Sequence, residues 1–361
     1  IVPVIFFSVT SGIAAIGDVQ RLKRIGSKVV IVYFLMTVIA CIVGIVMVNI
    51  THPGVGFTLD NMQAFDTSKV KTPSFVNFLF DMVPVNIVDS MAKNQIMQMI
   101  FFTVLVGVAL VSLGEKVAGV TKIFDQCASI IYKMLDIVML YSPIGVLALM
   151  ANTTAVFGPK LFGVLAKFVF TDWVGCLLIW FFFSGIVWLY TKVNYLEMCK
   201  SMIPIWVNTI ATNSSAGTIP ITLNVTTERL KVPMSIASFS IPLGATINLT
   251  GAALYKTILA FFVAEIYGLQ LTIDQILMVI IISTIMSIAA PGIPGGGIVT
   301  GAIFLNLLGL PMDLMGPIAG MYRLIDMSHT TVNVSGDVLG TMLVAKNENI
   351  WTGEDFNKTL V

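Results

Sequence analysis

Charged side chains are scarce in this sequence. Lys and Arg account for 20 of its 361 residues and Asp and Glu for 19, so charged residues make up 11% of the chain. Hydrophobic residues make up 57%, and the mean hydropathy is +0.95. A soluble domain of this length cannot bury so much apolar surface, so the composition predicts a polytopic membrane protein. The formal net charge of +1 gives no indication of a nucleic-acid partner.

Cysteine is also scarce. Cys41, Cys127, Cys176 and Cys199 stand singly in apolar surroundings. They are predicted to be small buried residues rather than a metal centre or a disulfide framework. The sequence has no recognisable nucleophile–base pair or phosphate-binding loop, so an enzyme is not expected. It opens at Ile1 inside an apolar run without an initiator Met, and we expect a further segment upstream.

Long apolar runs and the polar residues between them divide the chain into segments. A basic loop with Arg21, Lys23, Arg24 and Lys28 is predicted to be cytoplasmic by the positive-inside rule. The segments that follow are a span at 29–50, an outer loop at 51–73, a broken apolar stretch at 74–113, a span at 126–151 and a span at 161–192. Lys133 and Asp136, three residues apart, are predicted to form an ion pair.

Two later segments have polar centres and flanks too short to cross a bilayer alone. The segment 195–231 is broken at Asn213–Thr218 and ends in basic residues, which predicts a re-entrant hairpin from the cytoplasmic side. An ordinary surface turn is the alternative. The segment 271–307 is broken at Ala289–Gly297, and its flanking loops hold acidic residues without Lys or Arg, which predicts a second hairpin from outside.

Each hairpin precedes a helix with a related motif. The broken helix at 233–264 contains Asn248-Leu-Thr-Gly251, and the helix at 314–345 contains Asn333-Val-Ser-Gly336. Inverted repeats built from discontinuous segments are typical of secondary transporters, which bind substrate where the breaks meet.

The last apolar helix carries a polar stripe. Asp326, Thr330, Asn333 and Asp337 recur at helical spacing, and His329 lies at the edge of the same face. A carboxylate at the bilayer centre costs about 2.5–3.5 kcal/mol even on the milder insertion scale, so this face is predicted to bind a ligand.

The polar segments supply complementary chemistry. Backbone N–H groups at Ser214, Ser215 and the glycines 295–297 are able to bind a carboxylate at a half-helix N-terminus. Asp326 suits an ammonium group, unless Arg323 neutralises it.

Oxygen ligands for a cation are also present. Gly244, Asn248, Asn333 and Asp337 form a candidate oxygen cage for Na⁺; the alternative is that the two asparagines only satisfy broken backbone.

Four motifs, in order, carry a family resemblance. Asp326-Met-Ser-His-Thr-Thr-Val-Asn-Val-Ser-Gly-Asp337 resembles the last-helix motif of the glutamate transporter family, the dicarboxylate/amino acid:cation symporters. Ser214–Pro220 and Gly292–Gly297 resemble the family's hairpin tips, and Gly244–Gly251 is similar to its broken-helix motif.

The resemblance implies an all-α membrane fold of inverted repeats with two re-entrant hairpins, which works as an elevator-type homotrimer in the cell membrane. Residues 1–28 and 51–151 would belong to a trimerising scaffold, 29–50 and 161–192 to the transport domain, and 346–361 to a cytoplasmic tail.

The resemblance also implies a substrate site, composed of Ser214, Ser215, Ala252, Ile293, Gly297, Asp326, His329, Thr330 and Asn333. Members that bind acidic substrates have Arg where this chain has His329 and Thr where it has Ala252. We therefore expect a small neutral amino acid, with Asp326 at its amino group. His329 is expected to donate a hydrogen bond to a polar side chain; the alternatives are a satisfied core histidine and a proton carrier.

The cation sites of the family are only partly retained. The first is Gly244, Asn248, Asn333 and Asp337, and the second is Thr246 with the backbone of Ser287, Ile288 and Ala290. A third is expected to be lost, because Thr250 replaces an Asp and Phe34 and Val38 replace a Tyr and a Ser, although Thr37 remains.

Lys256 is unusual within the same broken helix. It is interpreted either as a tethered cation that replaces one ion or as a lysine that snorkels or pairs.

The sequence thus predicts a Na⁺-coupled importer of small neutral amino acids. The alternatives are a proton-coupled symporter of amino acids or dicarboxylates and, from another class, a ligand-gated channel or a transport-dead receptor.

Overall fold

The regular structure of the protein is helical. The computed structural model describes residues 2–14, 25–57, 80–93, 95–158, 160–288, 292 and 294–358, and no strand occurs in these ranges. The helices are α1 (Val2–Ala14), α2 (Ser27–Thr51), α3 (Ile87–Ala92), α4 (Ile96–Leu113), α5 (Ala118–Met139), α6 (Ser142–Phe157), α7 (Lys160–Thr191), α8 (Tyr195–Thr212), α9 (Ser215–Asn224), α10 (Met234–Ile247), α11 (Thr250–Ile266), α12 (Ile273–Ile288), α13 (Gly296–Leu307), α14 (Met315–Asn347) and α15 (Gly353–Asn357).

Several of these helices are long and apolar enough to cross a bilayer. By length and composition they are Ser27–Thr51, Met97–Ile131, Lys160–Thr191 and Met234–Ile266, among the described residues. Two shorter apolar helices, Ile273–Ser287 and Gly296–Leu307, follow them.

Three breaks separate helices that follow one another directly. Asn213 ends α8 in the left-handed conformation (φ 52°), and the Ser214 side chain caps α9 by accepting from the Gly217 N–H. Pro242 lies inside α10, which ends at Asn248 before α11 begins at Thr250. Gly295 (φ 74°) precedes α13, where a side chain would be strained. Each break leaves helix ends inside the protein, with backbone groups free for other partners.

Helix α14 is the centre of the packing. It contacts α7, α8, α10, α6, α11, α2, α13 and α9. Most of its side chains are buried, including the acidic and amide residues of the polar stripe. Its polar face is therefore enclosed by protein and does not face lipid.

A smaller bundle is formed by α1, α4 and α5. Phe6 of α1 stacks on Phe102 of α4, and Phe6 and Phe7 both pack against Phe124 of α5. This bundle also contacts α10, where Gly12 lies against Thr246. Two groups of helices thus meet close to the α10–α11 break.

Two predictions concern the middle of the chain, a single span and an ion pair. The predicted single span at 126–151 is wrong, because Leu140 and Tyr141 separate α5 from α6. The proposed Lys133–Asp136 ion pair lies outside the described part, since the Asp136 side chain is not described.

The segment after α14 folds back on the protein. Trp351 and Phe356 are buried, and the Trp351 Nε1–H donates to the Leu230 carbonyl. Lys28, from the predicted cytoplasmic loop, pairs with Glu348 at 2.6 Å. The start of α2 and the segment after α14 are therefore in contact, whereas residues 15–24 of the predicted cytoplasmic loop lie outside the described part of the chain.

Candidate functional site

The breaks in the helices meet at one place. The Ala216 N–H and the Ser214 hydroxyl both donate to the Gly292 carbonyl, each at 3.4 Å. A Cβ at Gly292 would lie 2.7 Å from the Ala245 carbonyl oxygen, so this glycine permits the close approach. The tips of α8–α9 and α12–α13 are thus in contact beside the α10–α11 break.

The polar stripe of α14 is buried beside these breaks. Asp326 is 7% exposed, Thr330 3%, Asn333 5%, Asp337 1% and His329 1%. Burial of two acids in this setting requires compensating partners, because an ionised carboxylate without partners is costly to desolvate.

Part of the stripe lines a small cavity of about 20 Å³. The residues around it are Asn213, Ser215, Leu249, Ala252, Gly292, Gly297, Thr300, Tyr322, Asp326, His329, Thr330 and Asn333. Seven of the nine residues assigned to the substrate site lie in this set. Ser214 instead caps α9 at the rim, and Ile293 lies outside the described residues.

Asp326 contacts the segment between α12 and α13. Its Oδ2 accepts a hydrogen bond from the Gly295 N–H at 3.1 Å. Arg323 points elsewhere, because its Nη2 donates to the Ala211 carbonyl at 3.3 Å. The alternative in which Arg323 neutralises Asp326 is therefore wrong.

His329 forms a buried pair with a residue that the sequence did not single out. Its Nε2 lies 2.8 Å from Oδ1 of Asp172 in α7, and both side chains are at most 1% exposed. The Ser328 hydroxyl lies 3.2 Å from Oδ2 of Asp172, and the Cys176 thiol donates weakly to the same oxygen at 3.9 Å. Asp172, Cys176 and His329 offer ligand atoms within 4.8 Å of one another, a group able to hold a metal ion.

Aromatic rings enclose the imidazole. Tyr255 and Tyr322 have ring centroids 5.3 and 6.2 Å from His329. The Tyr322 hydroxyl occupies the space that a Cβ at position 297 would need, so Gly297 permits this contact. Tyr322 and Tyr255 could not be assigned from the sequence, where each reads as an apolar helix residue.

The first candidate cation site has the oxygen ligands that a hard cation needs. Asn248 Nδ2 donates to Asp337 Oδ1 at 2.9 Å, and Gly244 lies directly against the same carboxylate. The Asn248 Oδ1 is buried and has no hydrogen-bond partner within the described ranges. A buried carboxylate beside an orphaned carbonyl oxygen and a helix break fits Na⁺, which prefers oxygen ligands.

Asn333 lies between the two parts of the site. Its Oδ1 accepts from the Gly251 N–H at 2.7 Å and from the Thr250 hydroxyl at 3.5 Å. It therefore satisfies the broken backbone, as one of the alternatives expects, while it also lines the cavity.

The second candidate cation site is only partly described. Thr246 Oγ1 donates to the Leu243 carbonyl, and Ser287 Oγ accepts from Lys256 Nζ at 3.2 Å. The side chain of Ile288 and all of Ala290 lie outside the described residues.

The third cation site, which is expected to be lost, would involve the positions of Phe34, Thr37 and Thr250. Phe34 is 46% exposed, whereas Thr37 and Thr250 are fully buried. The Thr37 hydroxyl donates to the carbonyl one turn before it, at Tyr33.

Lys256 is fully buried and does not snorkel. Its Nζ donates to the Ala252 carbonyl and the Ser287 hydroxyl, both at 3.2 Å. No carboxylate among the described residues pairs with it, and its two partners are neutral oxygens.

Paired helix breaks around a buried polar cavity are the architecture of a secondary transporter. Comparison with known proteins gives the family. A model described as the sodium:dicarboxylate symporter family matches residues 1–347, and the chain belongs to this family.

Three relatives illustrate its range. The chain is 30% identical to a proton/glutamate-aspartate symporter of Bacillus subtilis over 99% of its own length and 87% of the relative's. It is 29% identical to a proton/sodium-glutamate symport protein of Bacillus caldotenax over 98% and 85%, respectively. It is 30% identical to a C4-dicarboxylate transport protein of Bacillus subtilis over 97% and 84%. The chain is therefore a multi-pass membrane transporter of the dicarboxylate/glutamate type and not an enzyme.

Proposed function

We propose that this transporter is a symporter that carries a small neutral amino acid, with Na⁺ as the coupling ion. The buried Asp326, with an oxygen that accepts from the tip at Gly295, supports a substrate that carries an ammonium group. A dicarboxylate without nitrogen would face this carboxylate unpaired, at a cost in affinity.

The pairing of His329 with Asp172 is the main observation in favour of a substrate with a neutral side chain. The resemblance implies an Arg at position 329 in members that bind acidic substrates. Here the imidazole is held by a buried carboxylate at 2.8 Å, so the pair adds no net positive charge to the cavity. The names of the three relatives refer to acidic substrates, but a relative's substrate does not establish which substrate fits His329 in this chain.

Na⁺ coupling is supported by the environment of Asp337. Its carboxylate is 1% exposed and has the Asn248 amide as its donor, next to an unpartnered carbonyl oxygen. A monovalent cation that binds these oxygens would compensate the buried charge. The name of the Bacillus caldotenax relative includes sodium.

Proton coupling is the second candidate. The buried Asp172–His329 pair is favourable for it, because histidine exchanges protons near neutral pH. Two of the named relatives are proton symporters. A gated channel or a transport-dead receptor has no comparable support.

We further propose an elevator mechanism in a homotrimer. In this arrangement α1, α4 and α5 belong to the scaffold, and α2, α7 and α8–α14 to the moving domain. The aromatic contacts that join α1, α4 and α5 to one another support this division.

Uptake into proteoliposomes tests the proposal. An inward Na⁺ gradient at equal pH is expected to drive accumulation of a neutral amino acid, and a pH gradient without Na⁺ is not. Accumulation driven by the pH gradient alone would favour the second candidate. Uptake of aspartate or succinate in preference to every neutral amino acid would overturn the proposed substrate class.

A further inference from the structure

Asp172 and His329 join two helices that are distant in sequence. Asp172 lies in the middle of α7 and His329 in the middle of α14, and their contact of 2.8 Å is fully buried. Asp172 also has Ser328 and Cys176 beside its second oxygen. The carboxylate is thus fixed in place and receives the imidazole from one side.

This contact determines which nitrogen of His329 carries a proton. A carboxylate only accepts hydrogen bonds, so the imidazole must donate through Nε2–H. In neutral histidine the other nitrogen is then unprotonated, because the partner of one nitrogen fixes the tautomer of both. Nδ1 is therefore a hydrogen-bond acceptor.

Nδ1 has no hydrogen-bond partner among the residues that the structure describes. The atom is buried, and the residue it belongs to lines the cavity. A buried polar atom left unpaired is costly, so a ligand beside His329 that is able to pair with Nδ1 is favoured. The expectation of His329 as a donor thus changes to an acceptor.

The charges around His329 reinforce this selectivity. Asp172 and Cys176 face it from α7, Tyr255 from α11, and Tyr322 and Asp326 from α14. The two carboxylates repel a third on the substrate, and the two tyrosine rings contribute no positive charge. A carboxylate on the substrate side chain also has no proton to give to Nδ1.

We infer that Asp172 is a positioning residue that fixes the Nε2–H tautomer of His329, so that Nδ1 selects an amino acid whose side chain donates a hydrogen bond. The ligand class is an amino acid with a hydroxyl or carboxamide side chain, such as threonine or asparagine. This inference rests on the proposed function and names the substrate class of the same site.

Two isosteric ligand pairs test the selectivity. Threonine and valine differ by a hydroxyl in place of a methyl, and asparagine and aspartate by an amide in place of a carboxylate. Competition against uptake by the wild-type protein is expected to favour the first member of each pair about tenfold, as for one hydrogen bond to a buried group. D172N is expected to bring the threonine–valine ratio towards one. D274N, an Asp→Asn change at an exposed position on α12, is the matched control and keeps the wild-type ratio.

The tautomer is measured separately. The chain has two histidines, so ¹⁵N-imidazole labelling of the protein in lipid gives two sets of signals, and H52Q assigns them. His329 is expected to show a protonated Nε2 and a bare Nδ1 at neutral pH, and D172N to produce a mixture. Addition of threonine is expected to shift the Nδ1 signal, while valine leaves it in place.

The outcomes separate the inference from the proposed function. A protonated Nδ1 beside a bare Nε2, or equal competition by threonine and valine, would overturn the inference while neutral amino-acid transport stands. If no neutral amino acid is bound, the proposed function fails, and the tautomer measurement still decides whether Asp172 fixes His329. If D172N and D274N alter the ratio of threonine to valine competition equally, Asp172 has only a structural role.

Discussion

The Asp337 carboxylate is 1% exposed, and the Asn248 amide donates a hydrogen bond to it. Such a carboxylate is tolerated when a cation or a proton compensates it. A cation bound at this residue would link folding to ion binding, because a ligand that binds the native state stabilises it by mass action.

Asp337→Asn is expected to remove this link. The amide keeps the shape and removes the charge, so addition of Na⁺ should no longer raise the Tm, whereas the Tm without Na⁺ should equal or exceed that of the wild type. Thermal unfolding in detergent with Na⁺ and with choline as the cation measures both. A Na⁺-dependent rise in Tm that Asp337→Asn retains would contradict the cation assignment, and Asp274→Asn provides the control.

Lys256 is a fully buried amine with two neutral oxygens as partners. Burial of an ammonium group without a carboxylate partner is costly, so an apolar residue of similar volume is favoured at this position. Lys256→Met is therefore expected to raise the Tm and, if the ammonium replaces an ion, to increase the number of Na⁺ ions coupled to uptake. The Na⁺ dependence of initial uptake rates measures this number. An unchanged dependence would exclude the tethered-cation role.

Asp172 is expected to limit a change of substrate preference through His329. An arginine at this position would pair with Asp172, so H329R/A252T is expected to gain little affinity for aspartate. The triple variant D172N/H329R/A252T removes the competing carboxylate and is expected to bind aspartate at least tenfold more tightly than the double variant. Isothermal titration of both variants checks this. Equal aspartate affinity in both would show that Asp172 does not hold the arginine.

The sequence predicts the polar stripe but not its partner. Asp326, His329, Thr330, Asn333 and Asp337 follow from helical spacing within one segment. Asp172 is a single acid in an apolar helix and lies 157 positions from His329. No local pattern relates the two, because their contact depends on how α7 and α14 pack.

At the scale of the helices, glycine sets the distance between α11 and α14. A Cβ at Gly251 would lie 2.6 Å from the His329 Cα. Because this Cα is a backbone atom, it cannot move aside by a side-chain rotation. This close approach lets the Gly251 N–H donate to Asn333 at 2.7 Å. The crossing of the two helices thus positions the substrate residues.

Gly251→Ala is expected to destabilise the protein by about 1–3 kcal/mol, since overpacking forces the helices apart. Gly185→Ala in α7 is the matched control, because a Cβ there meets nothing within 4 Å, and helix propensity alone favours alanine by up to about 1 kcal/mol. The Tm of each variant and its affinity for the neutral substrate measure the effect. A Gly251→Ala protein with wild-type Tm and affinity would show that the helices separate without cost.

The sequence predicts two of the helix breaks, and the prediction missed a third. Pro and Gly in 289–297 and the polar residues at 213–218 lie at the interruptions between α12 and α13 and between α8 and α9. The interruption at Leu140–Tyr141 also has a signal in the sequence, because Ser142 and Pro143 follow directly and the proline lies in the first turn of α6. The prediction of one continuous span gave the surrounding apolar run more weight than this proline. Tertiary packing of α5 and α6 against different partners produces this break.

At the scale of the whole molecule, the two helix groups meet where α1 crosses α10. A Cβ at Gly12 would lie 3.2 Å from the Thr246 Cβ, near the separation that a disulfide spans. If one group moves relative to the other during transport, this contact must open.

Gly12→Cys/Thr246→Cys, in a background with the four native cysteines replaced by alanine, is expected to lose on oxidation the uptake that it shows when reduced. Because Thr246 also belongs to the second candidate cation site, the single variant Thr246→Cys measures the effect of the lost hydroxyl, and its uptake is expected not to change on oxidation. Gly44→Cys/Thr257→Cys is the control, because these positions join α2 to α11 within one group, with 3.0 Å between the Cβ positions. Uptake by proteoliposomes under oxidising and reducing conditions measures both. Uptake that persists in a fully cross-linked Gly12–Thr246 protein would argue against relative motion of the two groups.

The segment after α14 has a consequence for biosynthesis. Besides the Trp351 contact with Leu230, Asn357 bonds to the backbone of Lys192 and Asn194, and Gly353 packs on Thr191. The loops that begin and end the α8–α9 pair are thus anchored by residues that leave the ribosome after every long helix has been made. During translation this pair must wait in the translocon or the lipid without its final anchors. A chaperone or a delay late in the message would therefore act on the same part of the protein that later encloses the substrate.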